Sequence, residues 1–193
     1  MHATKTALAA PTPPRRCRDA AERDALLRRA RAAGIPPDYG STHALRRQRE
    51  PQRLTCIGCD IYQRVQWLQP AAARAFQRLQ AAASTTGVDL QVVSAFRSIA
   101  YQLGIIERKL ASGQHIDTIL RVSAAPGYSE HHSGRCVDLA TPGFPVLEEA
   151  FERSPAFAWL TREAAAFGFA LSYPRGNRHH IGYEPWHWCW HAR

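Results

Sequence analysis

The chain has 193 residues, 45% of them hydrophobic and 21% charged, which fits one globular unit with a real core and an N-terminal extension. Its formal charge of +9 is nearly all arginine, since only Lys5 and Lys109 are lysines; the arginines are scattered, so a nucleic-acid groove is not expected, although anionic polymers remain attractive partners. No apolar run approaches the roughly 20 residues that cross a bilayer, and the stretch after Lys5 is shorter than the roughly 7–15 residues of a signal-peptide core, so no export signal is expected.

Residues 1 to 16, rich in Ala, Pro and Arg, read as mobile. A helix is expected over residues 18 to 33, stopped by Gly34 and Pro36. The polar stretch 40 to 53 reads as a connector, which divides the chain into an extension, 1–53, and a compact domain, 54–193. Pro70 opens a helix with Ala72, Ala75, Phe76, Leu79 and Ala83 at helical spacing, ended by Gly87. A strand follows, with Val88, Leu90 and Val92 on one face. The next helix carries Ile99, Leu103, Ile106 and Leu110 as its inner stripe, and HIDTILRV forms a short helical turn. Residues 123 to 134 form a loop and RCVDLA a short strand. Ser154 caps a helix with Pro155 at its first position; FALSY and EPWHWCW then read as strands. Helices first and strands later predict an α+β fold around a small, mostly antiparallel sheet, with helices on one side.

Chemistry concentrates in three segments. In GYSEHHSGRCVDLA, His131 lies in a loop and Asp138 seven residues later in a strand, with Gly134 allowing a tight bend between them. Imidazole and carboxylate are donors that zinc accepts, but this pair alone reads equally as a hydrogen-bonded loop histidine. In YEPWHWCW, His187 offers a third donor, and Glu184 stands three residues upstream across the stiff Pro185. Three protein ligands leave a fourth position open, and an unbound carboxylate beside it suits a general base, with the tryptophans as a dry wall. In SAFRSIAYQ, Arg97 follows a strand and brings a fixed charge and a rigid fork of donors; the bland alternative is an arginine pairing a surface carboxylate.

Together the segments resemble the VanY-type D-alanyl-D-alanine carboxypeptidases, zinc peptidases that share the Hedgehog/DD-peptidase fold. The family frame S-x-H-x-x-G-x-A-x-D is filled by Ser129, His131, Gly134, Cys136 and Asp138. Its E-P-W-H stands at Glu184 to His187, and its S-G-Y-R-S with a following Gln is similar to SAFRS with Gln102. The resemblance covers roughly residues 60 to 190 and implies one zinc ion on His131, Asp138 and His187. It also implies Glu184 as base, Arg97 as electrophilic helper, and Gln102, Ser123, Ser129 and Trp186 as substrate-binding residues. The implied partner is a peptidoglycan stem peptide ending in D-Ala-D-Ala, met by a monomer in the periplasm or cell envelope. Two alternatives stay open: an endolysin-like L-Ala-D-Glu endopeptidase, which storage in the cytoplasm would suit, and a non-catalytic zinc-bearing cell-wall module. Cys136 departs from the usual alanine, and Cys189 lies two residues after a candidate ligand. These two cysteines are expected as buried thiols or a disulfide rather than as further ligands. Cys56 and Cys59 are expected as a local disulfide or two free thiols, and His43, His115, His179, His180 and His191 as surface or loop residues.

Overall fold

The structure, a computed structural model, describes residues 11–192. The reading of residues 1 to 10 as mobile, and of the stretch after Lys5 as no export signal, lies outside the described residues. Among the described residues six α-helices and six strands follow in the order α1 (Ala20–Ala32), α2 (Tyr39–Thr42), β1 (Thr55–Cys59), β2 (Val65–Leu68), α3 (Pro70–Thr85), β3 (Gln91–Ser94), α4 (Ile99–Ala111), α5 (Ile116–Val122), β4 (Cys136–Ala140), α6 (Pro155–Glu163), β5 (Phe169–Leu171) and β6 (His187–Trp190). Side-chain caps start several of the helices. Asp19 accepts from the Glu22 amide, Ser98 from Tyr101 and Ser154 from Phe157, while Pro70 and Pro155 occupy first-turn positions where no amide donor is needed.

The central sheet is antiparallel with strand order β3-β4-β6-β5, and β1 and β2 form a separate hairpin. The α+β reading with a small antiparallel sheet is what the fold shows. Two local readings change. The strand expected to include Val88 and Leu90 begins only at Gln91, because pairing starts where Gln91 meets Ala140 of β4. The stretch read as a connector opens with α2. The hairpin was not anticipated, since its bulge between Cys56 and Cys59 breaks the alternation by which a strand is recognised.

Alternation in the sheet separates two faces. Val92, Val137, Leu139 and Trp188 point into the main apolar cluster with α3 and α6. Cys136, Asp138, His187 and Cys189 point the other way, and all four are buried. A second cluster joins Ala30, Ile35, Tyr39 and Leu45 of the N-terminal region to Leu103, Ile106, Ile119 and Leu120 of α4 and α5. The N-terminal segment is also tied down by hydrogen bonds. Glu50 accepts from the amides of Cys17 and Ile99, at 2.6 Å each, and Arg16 donates to the Pro51 carbonyl at 2.8 Å.

Candidate metal centre

The antiparallel register sets Asp138 of β4 directly opposite His187 of β6. Ser94 of β3 pairs with Asp138 from the other side, so the carboxylate sits in mid-sheet. His131 reaches it from a single 3-10 turn, Glu130–Ser133, closed by Gly134 in a left-handed conformation with φ of 64°. A Cβ at position 134 would stand 3.0 Å from the Gln69 amide nitrogen, so the bend requires glycine for both dihedral and space. The nitrogen and oxygen donors of His131, Asp138 and His187 lie within 4.8 Å of one another.

The nitrogen that each imidazole presents is set by what holds its other nitrogen. His131 Nδ1 lies 2.5 Å from the Ala95 carbonyl, which can only accept, so Nδ1 carries the proton. His131 Nε2 is then a lone pair; it is fully buried, lacks a hydrogen-bond partner, and faces Asp138 Oδ2 at 3.1 Å. Burial, with help from Arg97, holds His131 neutral, its pKa pushed down to about 4. His187 is placed differently. Its Nδ1 meets Asp138 Oδ1 at 2.9 Å and its Nε2 donates to Glu130 Oε2 at 3.0 Å. Burial disfavours its charge, but its hydrogen bonds to both carboxylates outweigh this and push its pKa up to about 10. Burial likewise opposes charge on the two carboxylates. The imidazoles win, holding Glu130 at about 2 and Asp138 well below the ordinary carboxylate range.

A lone pair aimed at a carboxylate oxygen 3.1 Å away is a repulsive contact that a cation between them relieves. Donor spacings of 2.9 and 3.1 Å suit ligands around one ion with bonds of about 2.0–2.2 Å. A second donor set, Glu130, Cys136 and His187, also converges, but Cys136 is joined to Cys189 in a cross-strand disulfide and has no free thiolate. Of the two states expected for that pair, the structure has the disulfide. Cys56 and Cys59 are free thiols.

Around the donors stand the other expected residues. Glu184 Oε2 lies 4.0 Å from His187 Nδ1. Burial pushes the Glu184 carboxyl up to about 7, aided by the charges of Asp138 and Glu130 and opposed by His187 and Arg97. Arg97 Nη2 lies 3.8 Å from Asp138 Oδ2, and its Nε is buried without a partner. Ser123 accepts a hydrogen bond from Lys109 Nζ at 3.1 Å. Gln102 is buried, and its amide group donates to the Ala124 carbonyl at 2.8 Å. Ser129 is buried in the turn that carries His131. Trp186 instead packs against the main apolar cluster, on the far side of the sheet. Trp188 too lies in that cluster, so the wall beside His187 is the ring of Tyr173, 4.9 Å away and tilted by 30°.

Glu130, Lys109 and Tyr173 escaped the sequence reading. Glu130 adjoins His131 and fills a free position of the motif frame, so adjacency to a candidate ligand was its only signal. Backing comes from further out. His132, also buried, donates to the Arg97 carbonyl at 2.6 Å and accepts from the Gly127 amide. Gln66 of β2 accepts from the Ala95 amide and donates to the buried Asp60, which links the hairpin to the carbonyl that orients His131. A cavity of about 550 Å3 lies between the N-terminal segment and the start of α4, walled by Cys17, Trp67, Phe96 and Tyr101; the donors do not line it, and Arg97 is the residue it shares with their surroundings.

Comparison with known proteins bears on this arrangement. The family model described as VanY, D-alanyl-D-alanine carboxypeptidase, matches residues 65–193. The chain belongs to the VanY family. YodJ of Bacillus subtilis is 32% identical over 127 residues, 63% of this chain and 45% of that protein. The LdcB LD-carboxypeptidase structure has a TM-score of 0.65 at 29% identity, covering 73% of this chain and 69% of that one. A vancomycin resistance D,D-pentapeptidase VanY solved with Zn(II) shares the fold, with a TM-score of 0.58 at 24% identity over 77% of this chain and 87% of that one. The chain spans less than half the length of the curated relatives it matches.

Proposed function

We propose that this chain is a zinc-dependent carboxypeptidase that hydrolyses the terminal D-Ala-D-Ala bond of peptidoglycan stem peptides. The observation that carries the reading is the buried, unpartnered His131 Nε2 facing Asp138 and His187, with Glu184 beside them. The donor set of two imidazoles and one carboxylate fits zinc, with His131, Asp138 and His187 as the residues that would hold it. Zinc bound there supplies a water of lowered pKa and a Lewis acid for the scissile carbonyl.

The residues divide the remaining work. Glu184 accepts the proton of the attacking water and delivers it to the leaving amine; a carboxyl pushed up to about 7 is matched to both tasks near neutral pH. Arg97 directs its fork toward the oxygen on which negative charge develops. The Ala95 carbonyl and Glu130 orient the two imidazoles from behind, as partners of ligating histidines do. Among the described residues no helix is long and apolar enough to cross a membrane. The buried Cys136–Cys189 disulfide favours an oxidising compartment, which agrees with work at the cell envelope.

The test is incubation with a defined stem pentapeptide, with and without a chelator, and product identification by mass. Release of one D-alanine, lost on chelation and restored by zinc, is the expected result. Cleavage inside the stem, or release unaffected by chelation, contradicts the reading. Pentapeptide and tetrapeptide substrates compared side by side separate a D,D- from an L,D-preference.

A further inference from the structure

A chain that uses arginine almost throughout places one of its two lysines, Lys109, half-buried in the last turn of α4. Lys109 lies seven residues after Gln102, two turns along the same helix face. That face is laid against residues 123 and 124: Gln102 donates to the Ala124 carbonyl, and Lys109 Nζ donates to the Ser123 hydroxyl. Just before them, the Arg121 carbonyl accepts from the Gly182 amide at 2.8 Å, two residues ahead of Glu184. Segment 121–124 therefore bridges α4 and the chain that delivers Glu184.

The charges here are out of balance. Lys109 bonds a neutral hydroxyl, and among the described residues no carboxylate comes within salt-bridge distance of it. Burial and the positive charge of Arg97 lower its pKa, and Glu184 opposes them only in part. An ammonium partly stripped of water, near a guanidinium and paired only with a hydroxyl, lacks an anion. Gln102 cannot supply the missing charge: it is neutral, one N–H of its amide is committed to the Ala124 carbonyl, and its buried Oε1 can only accept.

We propose that Lys109, with Ser123, anchors the free carboxylate of the substrate's terminal residue and so selects chain ends over internal bonds. The inference rests on the proposed carboxypeptidase activity and adds its specificity-determining residue. Lys109 binds and does not react: its ammonium and the Ser123 hydroxyl donate to the carboxylate.

The experiment compares wild type, Lys109→Met and Lys109→Arg, each zinc-loaded, on a stem pentapeptide with a free C-terminus and on its C-terminal amide. Lys109→Met should raise KM for the free acid at least about tenfold, the loss of one charged hydrogen bond, with kcat little changed. On the amide the two proteins should match, and Lys109→Arg should recover most of the affinity. Unchanged KM on the free acid overturns the proposal. So does a fall in kcat with a displaced pH profile, which would mean that Lys109 acts on Glu184 instead. Calorimetric titration with N-acetyl-D-alanine separates this idea from the activity it rests on. If wild type cleaves neither peptide, the carboxypeptidase reading fails. Tenfold weaker binding of the acid by Lys109→Met would still uphold the anchor, and equal binding would refute it. Should Lys109→Met not fold, Lys109→Gln makes the same comparison while keeping a donor for Ser123.

Discussion

The two faces of strands β4 and β6 carry alternate residues of the same short segments, yet they answer to different physics. On one face Val137, Leu139 and Trp188 are buried among α3 and α6, where removal from water stabilises the fold. On the other, Asp138 and His187 are buried just as deeply, and their burial is unfavourable until charges and hydrogen bonds compensate it. A one-residue slip between the strands would exchange the faces. The Cys136–Cys189 bond, at the paired position two residues from Asp138 and His187, holds that register. On the proposed reading one face contributes stability and the other reactivity, and substitutions should separate the two.

The largest effect is expected from Glu184→Ala, which should lower kcat by about 10²–10⁴, the scale of a lost general base, while zinc content stays at one per chain. Thermal unfolding should stay where it is or rise, since burial destabilises the Glu184 carboxylate. Near-normal turnover would remove Glu184 from the mechanism. Leu139→Ala makes the opposite cut. It should cost about 2–5 kcal/mol of stability by denaturant titration, yet leave kcat at low temperature nearly intact. A matching loss of activity would mean that the two faces are not separable. Arg97→Met should reduce kcat by about 10²–10³ with the metal retained. Zinc loss would show instead that Arg97 chiefly holds Asp138, which lies 3.8 Å away. The smallest effect belongs to Glu130→Gln. It keeps a group able to accept from His187 Nε2 but removes the charge, so zinc affinity should weaken by about 10–100-fold in a competitive chelator titration. An unchanged affinity would reduce Glu130 to a packing residue.

Much of the local structure was legible in the order of residues. Pro70, Ser98 and Ser154 mark helix starts because a missing donor or a side-chain acceptor acts within one turn. Gly134 marks a bend because only glycine fits there. The candidate donors were legible as a set because their spacing within each motif is local: His131 to Asp138 across one turn, and Glu184 to His187 across one proline. The hairpin was not legible, since its bulge hides the alternation, and α2 is too short to leave a periodic signal.

What the chain's order determined by itself was therefore the chemistry available: which donors exist, on which short segments, and which helices and turns carry them. Only the tertiary structure decided how each donor is used. It placed β4 beside β6 and joined their cysteines, gave His131 its Ala95 partner and His187 its Glu130 partner, tied one N–H of Gln102 to Ala124, and left Lys109 without an anion. The reason is physical. Capping and turn preferences act over a few bonds, whereas a proton's position on an imidazole, or the worth of a buried charge, depends on whichever distant segment lies within about 3 Å.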